Sequence, residues 1–498
     1  MKKILNINNL IICSLLLLST GCKKTLDINE SPNNPGLESA TAEVLFPSAV
    51  MSTAGRVGGD LSIVGGLWAQ FYTQNNNSSQ FRNVDIYNLA STSTFVNGPY
   101  TELFSGALFD YQLGITKSIE KQNWSYNLMN TVMKAYTFEI LVDLYDKVPY
   151  TEAFQSPAIL QPKFDDGYTI YTSLIKEIDA ALAKDYTSVE FSSDQMRTDF
   201  IFGSSSTFAD EMENWHKFAN TLKLKMYLRM VNAKPAEAEA GIRALYASNA
   251  EFLDLSAAVS NFTDVPNRSN PFYEYNFRRL NTPDNLKASV TFTSWLNKNN
   301  DPRSVAYFGV ANPVPSINQG DYLGGSAHPE YNKAVNIIVN ATDPVNFISV
   351  AESYFMQAEV LERYFGGAGA EAMYNDGVAA AFAQVGITPS ATILATYAYP
   401  TGSFETKLEA IITQKWASLV GSHGLEAFFE QNRTGYPKTS PVFSTDPTYI
   451  PGQIVFTPNA VTGVGNFPRR YVFPNDERSR NTNTPAEVPV YTKVWWGK

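Results

Sequence analysis

The side chains that could do catalytic chemistry in this chain are histidines and neighbouring carboxylates, and neither group forms a catalytic pattern. The three histidines, His216, His328 and His423, are far apart, without cysteine partners or H-E-x-x-H spacing. Adjacent carboxylates such as Asp165 and Asp166 suit helix capping. We therefore predict no enzyme activity, no metal and no other cofactor. A helical glycoside hydrolase, whose two carboxylates no spacing rule reveals, stays the enzymatic alternative.

Tyrosines, asparagines and arginines are concentrated in three irregular segments, and this mixture suits ligand binding. Aromatic rings can stack on the C–H faces of sugars, and amide groups can bond to hydroxyl groups. The segments are "TQNNNSSQFRNVDIY" (73–87), "NRSNPFYEYNFRRL" (267–280) and "SINQGDYLGG" (316–325). The predicted ligand-binding residues are Asn76, Gln80, Phe81, Tyr87, Tyr273, Tyr275, Arg278 and Tyr322. The alternative is that these rings only attach ordinary polar loops to the body of the protein.

Cys22 is the residue for which the sequence predicts a covalent modification. The apolar run at 10–18, interrupted only by Ser14, is too short to cross a bilayer and suits a secretion signal. It leads into "LSTGC", which is similar to a bacterial lipobox. We predict a signal peptide at 1–21, acyl chains on Cys22 and a lipidated tether at 22–40, with membrane contact through the lipid only. The alternative is a plain signal peptide that contains a cysteine.

The cysteine count adds a consequence for stability. Cys13 and Cys22 are the only two cysteines of the 498 residues. If Cys13 leaves with the signal and Cys22 carries lipid, the mature chain forms no disulfide and depends on its core.

The formal net charge is -10, without a block of like charge, which argues against nucleic acid as a partner.

Amphipathic helices are the elements that must position the three segments. Apolar residues recur at helical spacing in 128–144, 170–181, 215–230, 350–361 and 408–419. In the third run we place Lys217, Lys223, Lys225 and Arg229 off the apolar stripe. Convincing strands are scarce, and "QIVFT" (453–457) is the best candidate. The segment from 433 to the end is aromatic and is expected to wrap over the helices.

Several of these helices come in close pairs, as in tetratricopeptide hairpins, although no repeat at that period occurs. We predict a mainly α fold in which tetratricopeptide-like helix pairs pack under long irregular loops, with few short strands. One domain is expected to span 41–498.

Several segments, in order, resemble the SusD/RagB outer-membrane lipoproteins of Bacteroidetes, in particular the SusD-like branch. They are "SPNNP", "LVDLYDKVPYTEAF", "WHKFANTLKLKMYLRM", "NDPR", "ISVAESYFMQAEVLER", "IITQKWASLVGSHGLEAFFEQNRTGYP" and "RRYVFPNDERSRN". The resemblance implies four tetratricopeptide-like helix pairs and a lipid-anchored protein that faces the cell exterior. It also implies delivery of glycans, or of peptides in the RagB branch, to a SusC-like TonB-dependent transporter. A helical-repeat envelope scaffold without a small ligand is the alternative from another functional class.

Overall fold

The computed structural model describes residues 40–498 except 281, 283 and 422. The predicted signal peptide, Cys22 and almost all of the tether lie outside the described residues. Helices dominate the fold, as predicted. They are α1 (Ala42–Val57), α2 (Asp60–Trp68), α3 (Arg82–Asp85), α4 (Thr94–Glu102), α5 (Phe109–Lys121), α6 (Trp124–Tyr145), α7 (Gly167–Leu182), α8 (Ser193–Met196), α9 (Phe208–Met230), α10 (Pro235–Ala247), α11 (Pro271–Tyr273), α12 (Val290–Asn299), α13 (Arg303–Phe308), α14 (Val350–Tyr364), α15 (Ala370–Ala383), α16 (Ala391–Thr396), α17 (Phe404–Ser418), α18 (Gly424–Thr434) and α19 (Asn475–Arg480).

The described strands are short and form three antiparallel pairs. They are β1 (Tyr72–Gln74) with β5 (Leu286–Ala288), β2 (Lys147–Pro149) with β3 (Phe164–Asp166), and β4 (Ala257–Val259) with β6 (Val345–Ile348). Two π-helical turns occur at Leu103–Leu108 and Glu274–Arg278, and 3₁₀ turns at Gly324–Ser326 and Pro329–Lys333. No helix in the described part of the chain has the length and apolar character needed to cross a membrane.

Capping residues and short connections explain the helix pairs. The Asp166 side chain accepts a bond from the Thr169 amide at 3.0 Å and so starts α7. Helices α5 and α6 are separated by Gln122 and Asn123 alone and pack against each other, which makes them an antiparallel hairpin. Helices α9 with α10 and α14 with α15 pair in the same way.

The prediction of a strand at 453–457 is wrong. Within this segment only Ile454 forms a bridge, with Thr439. The Gln70 side chain takes the place of a neighbouring strand: its amide nitrogen donates to the Val455 carbonyl at 2.6 Å, and its oxygen accepts from the Val455 amide at 2.9 Å. One side chain thus satisfies both backbone groups of Val455.

Ion pairs lie inside the helical body, between helices far apart in sequence. We call ten of these side chains the buried charge network: Glu139, Asp143, Lys225, Arg229, Glu352, Glu359, Lys415, Glu426, Glu430 and Arg433. All ten are buried. The Arg229 guanidinium bonds to Asp143 at 2.9 Å, Glu430 at 2.6 Å and Glu426 at 2.7 Å.

This network corrects the expectation that the cations of α9 lie off the buried stripe. Lys223, Lys225 and Arg229 are buried, and Lys217 is half-buried. Lys225 pairs with Glu139 at 3.3 Å and Glu426 at 3.0 Å. Burial of a charge is tolerated when carboxylates satisfy it. These carboxylates come from α6 and α18, so no pattern within α9 indicates them.

The expectation that the C-terminal segment wraps over the helices is confirmed. Tyr471 and Phe473 pack their rings against Tyr145 at the end of α6, with centroids 5.9 and 5.5 Å apart. Trp496 is fully buried, and its indole N–H donates to Asp143 at 2.6 Å. The last residues of the chain therefore also contact the buried charge network.

Candidate functional site

Strand pairing brings two of the three predicted segments together. Strands β1 and β5 pair in the register Tyr72 with Ala288 and Gln74 with Leu286. Just beyond the pair, the Asn75 amide donates to the Asn285 carbonyl at 2.7 Å. The segment that follows β1 therefore lies beside the segment that precedes β5.

A buried carboxylate holds the third segment against the first. Asp85 accepts bonds from the Thr73 hydroxyl at 2.7 Å, the Gln74 amide at 3.1 Å and the Gln319 side chain. Burial raises the pKa of Asp85 to about 6, although these three bonds lower it. The Gly320 amide in turn donates to the Thr73 hydroxyl at 2.9 Å. Hydrogen bonds thus fix loops that local propensity alone would leave mobile.

Two of the predicted ligand-binding rings belong to the core, which corrects the sequence-based assignment. Phe81 is 0% exposed, and its ring packs between Phe95 at 5.7 Å and Tyr275 at 6.4 Å. Tyr87 is 3% exposed, and its ring packs against Phe456 at 5.6 Å. Neither ring is accessible to a ligand, so for these two residues the attachment alternative is right.

The other predicted rings are half-buried, and each lies beside a guanidinium. The Arg82 Cζ is 4.5 Å from the centre of the Tyr322 ring. We call the six residues of these ring–guanidinium pairs the aromatic–arginine face: Arg82, Tyr273, Tyr275, Arg278, Arg279 and Tyr322. The Phe81 ring, packed against Tyr275, connects the two halves of the face.

Predicted amide groups lie next to this face. Gln80 is exposed, and Asn76 is half-buried. Asn76 lies close to the loop after Tyr322, because a Cβ atom added to Gly325 would be 2.3 Å from the Asn76 side-chain nitrogen. The structure therefore places amides from the first segment within reach of a ligand on the third.

A cavity of about 480 Å³ opens beside Tyr275, between α1 and residues 262–279. Its charged lining consists of Arg56, Asp60, Glu102, Arg268, Glu274 and Arg279. The π-helical turn at Glu274–Arg278 forms part of its wall. Such turns add a residue to a helix and occur often at functional sites.

The carboxylates of this cavity already have partners within the protein. Asp60 bonds to Arg56 at 3.0 Å, although burial still raises its pKa to about 6. Glu274 accepts from the Ser269 hydroxyl at 2.9 Å and pairs with the Arg278 Nε at 3.1 Å. Glu102 accepts from the Ser52 hydroxyl at 3.1 Å.

This arrangement can stack on flat apolar faces and bond to hydroxyl or anionic groups. Within residues 40–498 as described, no group of three or more His, Cys, Asp or Glu side chains could hold a metal ion. His423 is buried beside Glu352, and burial lowers its pKa to about 3, so it is neutral at physiological pH.

The comparison with known families decides the identity. The sequence profile of a SusD-like family, described as starch-binding associating with outer membrane, matches residues 33–456. The chain belongs to the SusD/RagB family. No curated protein matches its sequence.

Solved structures show that this SusD-like chain has the fold of its family. A SusD homologue from Bacteroides uniformis is 20% identical, with a TM-score of 0.73 over 91% of this chain and 99% of that one. A chitin-binding SusD homologue from Flavobacterium johnsoniae is 21% identical, with a TM-score of 0.73 over 91% and 98%. A SusD/RagB protein from Bacteroides thetaiotaomicron is 20% identical, with a TM-score of 0.70 over 92% and 99%. At these identities the likeness establishes the fold alone.

Sequence reasoning predicted Arg278 as a binding residue but missed Arg56, Arg268 and Arg279, which line the cavity of this SusD-like protein. Arg279 and Arg268 lie in a segment that was chosen for its rings, and Arg56 lies on α1, outside all three segments. The doublet in "NFRRL" was a usable signal, since two adjacent arginines in a loop place one guanidinium on each side of the chain. Nothing in the sequence of α1 marks Arg56 as part of a cavity.

Proposed function

We propose that this SusD-like protein binds glycans through the aromatic–arginine face and passes them to a SusC-like TonB-dependent transporter in the outer membrane. The observation that carries the proposal is the set of three half-buried tyrosines, Tyr273, Tyr275 and Tyr322, each beside a guanidinium. A tyrosine ring that is buried on one face is already held in place, so it can stack on a ligand with its other face at little cost in conformational entropy. The family description, starch-binding associating with outer membrane, supports a sugar as the ligand.

Retention by polysaccharides tests this proposal. In native gels that contain starch, xyloglucan, polygalacturonate or chondroitin sulfate, we expect at least one polysaccharide to slow the protein. Tyr322→Ala should restore most of its mobility, because the stacked ring is lost. Tyr491→Ala is the matched control, since Tyr491 is 39% exposed and lies outside the face. Binding of peptides without any glycan would instead favour a RagB-like role, and binding of neither would favour a scaffold.

The anchor is a separate proposal with its own test. We propose that acyl chains on Cys22 hold the protein to the outer membrane, facing the exterior, because the lipobox-like "LSTGC" precedes the tether. Cys22→Ala should move the protein out of the membrane fraction and abolish labelling with palmitate. A membrane pool of Cys22→Ala that is still labelled would contradict the anchor and leave the glycan proposal untouched.

A further inference from the structure

We infer that the glycans bound by the aromatic–arginine face are anionic, with carboxylate or sulfate groups that pair with Arg268 and Arg279. This inference rests on the proposed glycan-binding function and names the class of sugar. The arginines in the described part of the chain differ in whether a carboxylate of the protein pairs with them.

Three of the four buried arginines in the described chain have carboxylate partners, whereas the fourth, Arg470, donates to the backbone carbonyls of Tyr145 and Tyr471. Arg229 pairs with Asp143 at 2.9 Å, and Arg303 pairs with Asp301 at 2.6 Å. Arg433 pairs with Glu359 at 2.6 Å. At these three positions carboxylates neutralise a buried guanidinium.

Three arginines on or beside the aromatic–arginine face lack a carboxylate partner among the described residues. Arg82, Arg268 and Arg279 form no ion pair with any carboxylate of the residues that the structure describes, whereas Arg278 on the same face pairs with Asp264 and Glu274. Arg268 and Arg279 are exposed and line the cavity beside Tyr275. Their charges are available to a ligand.

Arg82 adds a donor that lacks an acceptor. Its Nη2 donates to the Ser78 carbonyl at 3.0 Å, and its Cζ lies over the Tyr322 ring. Its Nε is buried and has no hydrogen-bond partner in the structure. A buried N–H without an acceptor is costly, so an oxygen atom brought by a ligand would be stabilised there.

The remaining charges in the cavity do not cancel these arginines. Asp60 pairs with Arg56 and Glu274 with Arg278, whereas Glu102, within the described chain, accepts only from the neutral Ser52 hydroxyl and keeps its negative charge. Glu102 therefore offsets one of the two charges of Arg268 and Arg279, and one positive charge remains. The protein as a whole carries a formal charge of -10, which repels anions from most of its surface. The charges of Arg268 and Arg279 at the cavity beside Tyr275 therefore favour anions at that place.

Sugar acids fit this combination better than simple anions do. A guanidinium forms paired bonds with a carboxylate or sulfate group, and the tyrosine ring beside it stacks on the pyranose that carries the group. The cavity volume of about 480 Å³ is within the range of small-ligand sites, about 300–1,000 Å³. A free phosphate or sulfate ion would use the arginines and leave Tyr275 and Tyr322 without a role.

The test compares acidic with neutral polysaccharides in native gels. The acidic set is polygalacturonate, alginate, heparin and chondroitin sulfate, and the neutral set is starch, xyloglucan, mannan and fully methyl-esterified polygalacturonate. We expect retention by at least one acidic polysaccharide, weakened by added salt because the charges are exposed. Arg268→Gln with Arg279→Gln should reduce the affinity about tenfold or more. Melting temperature should not change, since neither arginine pairs with a carboxylate in the described structure.

Arg243→Gln is the matched control, because Arg243 is exposed on α10 and pairs with Glu239 away from the face. Retention by neutral polysaccharides alone would overturn the inference and leave the proposed function standing. Acidic retention that survives the double arginine change would also overturn it. Retention by none of the eight polysaccharides would overturn both proposals, as would stronger binding of polyglutamate than of every glycan.

Discussion

Arginines serve opposite purposes in two regions of this molecule. In the buried charge network, Arg229 is 1% exposed and bonds to three carboxylates within 2.9 Å. On the aromatic–arginine face, Arg82 and Arg279 lie over rings and form no ion pair within the described chain. Arginine is thus neutralised by carboxylates in the buried charge network, whereas Arg82 and Arg279 on the face have no carboxylate partner in the described chain.

The difference between the two regions follows from the hydration of the guanidinium group. A buried guanidinium such as that of Arg229 loses its hydration, and carboxylates of the protein replace it. A guanidinium on a loop keeps part of its hydration and needs no partner from the protein. Arg279, which is exposed beside Tyr275 without a carboxylate partner in the described structure, can therefore pair with an anionic ligand, whereas Arg229 stabilises the helical body.

Loss of a paired arginine should have the largest effect. Arg229→Met leaves Asp143, Glu426 and Glu430 buried with fewer positive charges, so we expect the free energy of unfolding to fall by about 3–5 kcal/mol. Urea denaturation measures this change. Arg243→Met, which breaks an exposed pair on α10, should cost about 0.5 kcal/mol or less. Equal losses in the two variants would show that burial of the network does not matter.

Removal of a core ring should have the next largest effect. Tyr136 is buried on α6, with its ring 5.1 Å from that of Phe347. Tyr136→Ala should cost about 3 kcal/mol or more through the cavity that it leaves. Tyr322→Ala should cost about 1 kcal/mol or less, since its ring is half-buried and contacts Arg82. Thermal melts of both variants decide whether the face is separable from the core.

The buried charge network should also make stability depend on pH. Burial raises the pKa of Glu139 to about 8 and that of Glu352 to about 7, from an ordinary value of 4.5. Between pH 6.5 and 8 the folded state therefore holds more protons than the unfolded state, and stability falls as pH rises. His423, whose pKa is lowered from 6.5 to about 3, opposes this trend only near pH 6.5, because the unfolded histidine is still half protonated there.

We expect the free energy of unfolding to decrease by on the order of 1 kcal/mol between pH 6.5 and 8. Urea denaturation at several pH values measures the slope. Glu139→Gln should flatten it, because the variant has no proton to lose at that position. The absence of a slope in the wild type would mean that Glu139 and Glu352 are ionised throughout this range.

Helices and their pairing were predictable from sequence because apolar spacing is a local signal. The stripe at 170–181 and the cap at Asp166 both lie within one helix, and the structure confirms them. The cations of α9 were placed wrongly because their partners, such as Glu426, are about two hundred residues away in sequence, as the separation of 197 between Arg229 and Glu426 shows.

The candidate site was predictable as a region but not residue by residue. The three tyrosine-containing segments predicted from the sequence are brought together by β1, β5 and Asp85. Sequence could not distinguish Phe81 and Tyr87, which anchor loops, from Tyr322, which stays half-exposed. Each of these rings has similar polar neighbours in sequence, and only tertiary packing separates them.

The role of the aromatic–arginine face in glycan binding is tested most directly by the affinity of its tyrosine variants for the glycan that the native gels identify. Calorimetric titration should compare the wild type with Tyr273→Ala and Tyr322→Ala, beside thermal melts of the same proteins. We expect several-fold weaker binding in both variants, since a stacked ring contributes about 1 kcal/mol or more, with nearly unchanged melting temperatures. Binding equal to that of the wild type in both variants would contradict the assignment of the aromatic–arginine face as the glycan-binding site.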